Sequence, residues 1–331
     1  MNISFGTIQL AVLAAFWFAA LSAVASALFY PVMRRPLCRL TPAMRSNALF
    51  IWCIAPAAAA VMLTTLAFLP SIFTSLGICV DHWYVHDEKH IHLCLTHPTD
   101  PVNGLLPWTI ILACITGLTG MVSIQALNLL RTRRLLRTLK TASRYDVRHD
   151  IQLVDSGAPF AFACSLGKPR IFVSSKVLDS LSPEQLEVVL AHERAHLCGH
   201  SILKEHIARL LSVLHLPWVR KQLLADLSAA REQLCDEEAV SRVGDRLQVA
   251  DTILAVERLF KSLAPRMPVP AASFIGSNVI DRIESLLSPQ SRPNPSRVNL
   301  ALLAAGFITL ICFSIIPLHN LTELILELLT G

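Results

Sequence analysis

Ser182-Pro183-Glu184-Gln185-Leu186-Glu187-Val188-Val189-Leu190-Ala191-His192-Glu193-Arg194-Ala195-His196-Leu197 is the stretch on which the reading of this chain turns. Ser182 is a capping residue, Pro183 suits the first helical turn, and Glu184 sits near the positive end of the helix dipole, so a helix is predicted to begin here. Residues four apart on a helix lie about 40° past a full turn, so His192 and His196 project from one face. Two imidazole nitrogens at that spacing can reach one Zn²⁺ at about 2.0–2.1 Å. Glu193 stands one residue along, beside the metal but not aimed at it, where it can accept a proton from water held there. The plain alternative is two surface histidines on an amphipathic helix. Leu186, Val189, Leu190 and Leu197 weaken it, because they make the helix strongly apolar and buried histidines need partners.

A catalytic zinc keeps three protein ligands and one open position. The extended metzincin pattern needs His where Ile202 stands, which excludes that class. An acid from a following helix remains. In Arg231-Glu232-Gln233-Leu234-Cys235-Asp236-Glu237-Glu238, Glu232 and Asp236 are four apart and share a helical face. Glu232 is then read as the third ligand, and Asp236 as a group that orients a ligand histidine from behind. Taken alone, the acid cluster would read equally well as a solvated helix face. Glu205 competes as a ligand but lies on the same or an adjoining helix and is expected to point away. His200, one turn past His196, is expected to cap or pack.

Around this core the composition is that of a membrane protein. Of 331 residues, 53% are hydrophobic and only 16% charged, with mean hydropathy +0.52. A soluble domain carries about 25% charged residues. Disorder, collagen-like fibres and a small disulfide scaffold are excluded, and a formal charge of +5 is too small to point to direct nucleic-acid binding. Residues 2–33, 46–80 and 101–130 carry no charge, and 298–322 is interrupted only by His319. Each exceeds the roughly 20 residues needed to cross about 30 Å of hydrocarbon.

Orientation is read from Lys and Arg. Arg34, Arg35, Arg39 and Arg45 follow the first span without an acid, and Arg131, Arg133, Arg134, Arg137 and Lys140 leave the third. The loop between spans two and three holds Asp81, Asp87, Glu88 and Asp100 against Lys89. The expected organisation is three transmembrane helices over 1–130, with a cytoplasmic basic loop at 34–45 and an external loop at 77–104. A cytoplasmic zinc metallopeptidase domain covers 131–263, followed by a Pro-rich connection at 264–297 with a short helix at 278–287. A fourth span, 298–322, leads to a short external tail, 323–331. Strands are expected at Ile151–Val154 and Arg170–Ser174, and helices from Ser182 to about Leu263. The fold class is a multi-span α-helical membrane protein with a mainly helical α+β, zincin-like domain.

The third span, Pro169-Arg170-Ile171-Phe172-Val173, Leu181–Leu186, the His-Glu-Arg-Ala-His motif, Pro217-Trp218 and Glu232…Cys235-Asp236 occur in that order before a fourth span. The series resembles, over nearly the whole chain, the membrane metallopeptidases typified by the BlaR/MecR sensor-transducers of β-lactam resistance. The resemblance implies a gluzincin site with His192, His196 and Glu232 on zinc and Glu193 as base. It also implies a cytoplasmic protease, in the bacterial inner membrane, that cleaves a repressor, itself or both after an external signal. Those sensors carry a large penicillin-binding domain after the last span, where about ten residues remain here. Ser-x-x-Lys occurs at Ser165/Lys168 and Ser201/Lys204 without the other motifs of that domain, so acylation by β-lactams is not expected.

The external loop places five of the chain's twelve histidines, His82, His86, His90, His92 and His97, beside Cys79 and Cys94. A disulfide between these cysteines suits the oxidising side. The sharper reading is a site for Zn²⁺ or Cu²⁺ or a pH sensor; the plainer one is a polar loop closed by one disulfide. Leu210–Trp218 is apolar enough for the bilayer surface, with Trp218 as anchor, and equally suited to packing inside the domain. The partners expected are a cytoplasmic protein substrate, such as a transcriptional repressor, and the lipid bilayer; the oligomeric state stays open. Two other classes compete: a transducer whose zinc is structural, and a quality-control protease resembling the Ste24/HtpX type.

Overall fold

The computed structural model describes residues 4–75, 104–164, 168–197, 201–263 and 279–287, together with 317, 318, 320–322 and 324. The histidines and cysteines of the 77–104 loop, His200, most of the Pro-rich connection and most of the fourth span and tail therefore lie outside the described residues.

Three long helices open the chain: α1 (Phe5–Leu37), α2 (Pro42–Ser75) and α3 (Leu105–Ala142). All three are long and apolar enough to cross a membrane. At about 1.5 Å per residue, each also exceeds the hydrocarbon thickness by a dozen residues or more, so part of each must project beyond it. On α1, Ser4 caps the start by accepting from the Thr7 amide. Near that end of the bundle Leu10, Leu13 and Phe18 of α1 meet Ala67 and Phe68 of α2, with Ile110, Ile111 and Leu318 packed against them. Leu28 and Phe29 of α1, and Leu112, Leu118 and Ile124 of α3, are exposed, as lipid-facing side chains would be.

The third helix does not stop where its charges begin. It runs through Arg131–Lys140 to Ala142, so no break in secondary structure falls at position 131. The extension reaches a four-stranded sheet, β1 (Ser143–Asp146), β2 (Ile151–Val154), β3 (Ala161–Cys164) and β4 (Arg170–Ser174), in the order β1-β2-β4-β3. The central pair β2/β4 is parallel, and both edge strands are antiparallel to their neighbours. Side chains alternate across a strand. Ile171 and Val173 accordingly face Val177, Leu186, Val189, Leu190, Val256 and Phe260. Phe172 turns the other way, into a cluster with Val154 and Phe160 that Leu136 and Leu139 of α3 cover. β2 and β4 are the two predicted strands; β1 (Ser-Arg-Tyr-Asp) and β3 (Ala-Phe-Ala-Cys) lack the β-branched residues that mark those two.

The remaining elements are helical: α4 (Ser175–Ser180), α5 (Pro183–Leu197), α6 (Ser201–Leu211), a single 3-10 turn at Ser212–Leu214, α7 (Pro217–Val243), α8 (Arg246–Leu263) and α9 (Val279–Leu287). The predicted cap of α5 forms a reciprocal box: Ser182 Oγ accepts from the Gln185 amide at 3.2 Å, and Gln185 Oε1 accepts from the Ser182 amide at 3.2 Å. α7 ends at Gly244, whose φ of 85° is the left-handed conformation that lets its amide reach back to Val240 O at 2.8 Å.

The first half of α7 grips the membrane helices. Val219, Leu223, Leu227 and Ala230 are buried against Tyr30, Leu49 and Cys53, together with Ala208 of α6. Asp226 accepts from the Tyr30 hydroxyl at 2.8 Å and from Arg34 Nε and Nη2 at 2.7 and 2.9 Å. His215 shares a hydrogen bond with Ser26 at 3.1 Å and lies 3.0 Å from Trp52 O. Leu216 packs in the same region, whereas Trp218 is 64% exposed at its margin.

Candidate metal centre

The second half of α7 lies across α5, and the two helices bring the predicted residues together. On α5 the 3.6-residue period aims Val188 and Ala191 at α8 and α9 while His192 and His196 turn toward α7. His192 Nε2 and His196 Nε2 are 3.2 Å apart. Glu232 Oε2 lies 3.4 Å from the first of these nitrogens and Glu232 Oε1 lies 3.6 Å from the second. Three donors held about 2.0–2.1 Å from one ion at tetrahedral angles must lie about 3.3–3.4 Å from one another. Each Glu232 oxygen faces one of the two imidazole nitrogens near that spacing, so two nitrogens and this carboxylate fit Zn²⁺ as a donor set.

Two further observations agree with a cation there. Glu232 Oε2 is buried without a well-formed hydrogen bond among the described residues. His192 Nδ1 lies 2.9 Å from Asp236 Oδ1. A carboxylate can only accept, so Nδ1 carries a proton, and Nε2 is the nitrogen left to face a metal. Asp236 thus stands where the sequence reading put it, behind a histidine of the pair.

Cys235 belongs to the neighbourhood as well. With His192 and His196 it forms a group whose donor atoms lie within 4.8 Å of one another. Its thiol, however, approaches His196 at Nδ1, 3.4 Å away, the nitrogen turned from His192. It sits behind His196 much as Asp236 sits behind His192. Burial and the nearby carboxylates push this thiol's pKa up, so it stays protonated.

Glu193 is 2% exposed and its pKa is pushed up to about 7. Burial is the main cause, partly offset by His192 and by a hydrogen bond from the backbone of Ala163 on β3. A base is most effective when its pKa lies near the working pH. Burial works against the charged form of His192, but Asp236 and Glu232 outweigh it and raise its pKa to about 9. Burial and the neighbouring His192 lower His196 to about 4. Glu205, the competing ligand, is turned aside: it pairs with Arg231 and with Arg209, and these arginines override burial to hold its pKa low.

One residue of the centre escapes a reading of the sequence. Arg282 of α9 is 2% exposed and forks onto Asp236, with Nε to Oδ2 at 2.7 Å and Nη2 to Oδ1 at 2.5 Å, and its Nη1 lies 3.5 Å from Glu232 Oε2. The signal for it was weak: a single Arg in a short amphipathic helix, beyond the Pro-containing 264–278 stretch.

Residues 128–264 match the family model for peptidase family M48. The match spans the end of α3, the sheet and α4 to α8, and with the three membrane-length helices it supports a membrane metallopeptidase. No curated protein matches the chain.

Proposed function

We propose that this chain is an integral membrane zinc endopeptidase with its site on the cytoplasmic side of a bacterial inner membrane, cutting a regulatory protein such as a transcriptional repressor, or itself. The observation that carries the reading is the buried Glu193 beside the converging His192, His196 and Glu232, at about the donor spacing of a zinc tetrahedron. A zinc ion held by these three residues supplies Lewis acidity, which makes water a better nucleophile and a carbonyl a better electrophile.

The chain's own groups do the rest. Glu193, with a pKa near neutrality, takes the proton of the attacking water and passes it to the leaving amine. Asp236 holds His192 in the tautomer that presents Nε2. β3 is an edge strand, and Ala163 lies beside Glu193, so an extended peptide adding to that edge would bring its backbone to the base. The basic ends of α1 and α3 and the Arg34–Asp226 contact support a cytoplasmic position for the domain.

A quality-control role resembling the Ste24/HtpX type is the second reading. It rests on the same metallopeptidase match and needs no external signal. The test is a pair expressed in cells, the unaltered protein and Glu193→Gln, compared by blotting and by the N-terminal fragments of the proteome. A single regulator cut only by the unaltered protein supports the signalling reading; many unfolded membrane proteins cut support quality control. Identical fragments from both, with and without Zn²⁺, Cu²⁺ and acid outside, would leave a transducer with structural zinc. Purified Glu193→Gln should bind zinc like the parent and cut at least about 100-fold more slowly.

A further inference from the structure

We propose that α9 completes the metal centre: Arg282 is a positioning residue that fixes Asp236 and through it His192, so docking of α9 sets the affinity of the site for Zn²⁺. The inference rests on the zinc reading of His192, His196 and Glu232.

The geometry is a relay of three groups. The guanidinium of Arg282 occupies both oxygens of Asp236, at 2.7 and 2.5 Å, which fixes the plane of that carboxylate. With its plane fixed, Oδ1 also receives His192 Nδ1 at 2.9 Å, which sets the imidazole that faces His196 and Glu232. Every member of the chain is buried: Arg282 at 2%, Asp236 at 1% and His192 at 3% exposure. Side chains that cannot reach water have few other orientations to adopt, so an error at Arg282 passes to the ligand.

Charge points the same way. Glu193, Glu232 and Asp236 place three carboxyl groups in one buried volume. The Arg282 guanidinium sets a permanent positive charge against Asp236 and within 3.5 Å of Glu232 Oε2. Attachment of α9 alone would not need this arginine. Leu286 is buried among Val188, Ala191, Ala239, Val249, Ala250 and Ile253, with Val279 and Ile283 packed beside it. An apolar side chain at 282 would hold such a helix at lower desolvation cost. What the arginine adds is orientation. Because α9 lies between residues 264–278 and the stretch leading to the last apolar segment, anything that lifts it withdraws Arg282 from the centre.

The experiment uses the full-length protein in detergent or nanodiscs, titrated with Zn²⁺ against a chelating dye and with Co²⁺ followed by its visible absorption. Arg282→Met should weaken Zn²⁺ binding about 10- to 100-fold and change the Co²⁺ band, which reports ligand geometry. Arg282→Lys should recover only part, because a point charge cannot fork onto both oxygens. Leu286→Asp keeps Arg282 but undocks its helix, and should weaken binding in the same way. If Arg282→Met fails to fold, Asp236→Asn combined with Arg282→Met leaves no unpaired buried charge and should fold with weak zinc and an altered band. Unchanged Zn²⁺ affinity and Co²⁺ band in Arg282→Met or in the double variant would overturn the proposal. So would a loss of affinity that only follows a lower melting temperature while the band stays the same. An unaltered protein that takes up no Zn²⁺ would instead overturn the metal-site reading on which this rests.

Discussion

Two aspartates ten residues apart on α7 carry the same kind of contact in different surroundings. Asp226 is forked by Arg34 of α1 and bonded by Tyr30; Asp236 is forked by Arg282 of α9 and bonded by His192. Arg34 leaves 46% of its side chain exposed, whereas Arg282 and Asp236 each expose 2% of theirs. The first pair joins the peptidase domain to the membrane helices, and the second joins α9 to the candidate metal centre. Arg34 reaches water and Arg282 does not, although both aspartates are buried. Similar bonds therefore register one end of the helix and hold the other rigid.

The largest effect is expected from Asp236→Ala, which strands a buried guanidinium. It should cost about 3–5 kcal/mol in denaturant titration of the full chain, and a cost under about 1 kcal/mol would erase the contrast between the two ends. Tyr30→Phe comes next. Its hydroxyl is buried and donates to a carboxylate, so a loss of about 1.5–3 kcal/mol is expected in the same titration. Arg34→Ala should cost about 1–3 kcal/mol, less than Asp236→Ala because Tyr30 still donates to the buried Asp226, with zinc affinity unchanged. If Arg34→Ala weakened zinc as much as Arg282→Met, α7 would be transmitting the membrane contact to the site, and the two ends could no longer be treated as independent.

Within the domain, the centre was readable in proportion to how local its geometry is. His192, Glu193 and His196 sit in one pentapeptide, and helical spacing alone directs the two histidines to one side. Glu232 and Asp236 are also four apart, but only the crossing of α7 over α5 shows which carboxylate meets which imidazole: Glu232 faces both Nε2 atoms and Asp236 takes Nδ1 of His192. Arg282, 46 residues from Asp236, carried no comparable pattern. Nor did β3, whose four residues are placed by pairing with β4 and not by their own alternation.

The amino-acid sequence by itself determined the membrane-length helices, the helix that begins at Ser182 and the two imidazoles on its face. Those features follow from hydrophobicity, capping and period, all of which act among near neighbours. Tertiary structure alone decided that α3 runs on to cover the sheet and that Glu205 turns to Arg231. It also placed Cys235 behind His196, and put an arginine from beyond the 264–278 stretch against Asp236. The reason is physical: a buried charge takes whichever partner packing delivers within hydrogen-bond reach, and packing joins residues without regard to their distance along the chain.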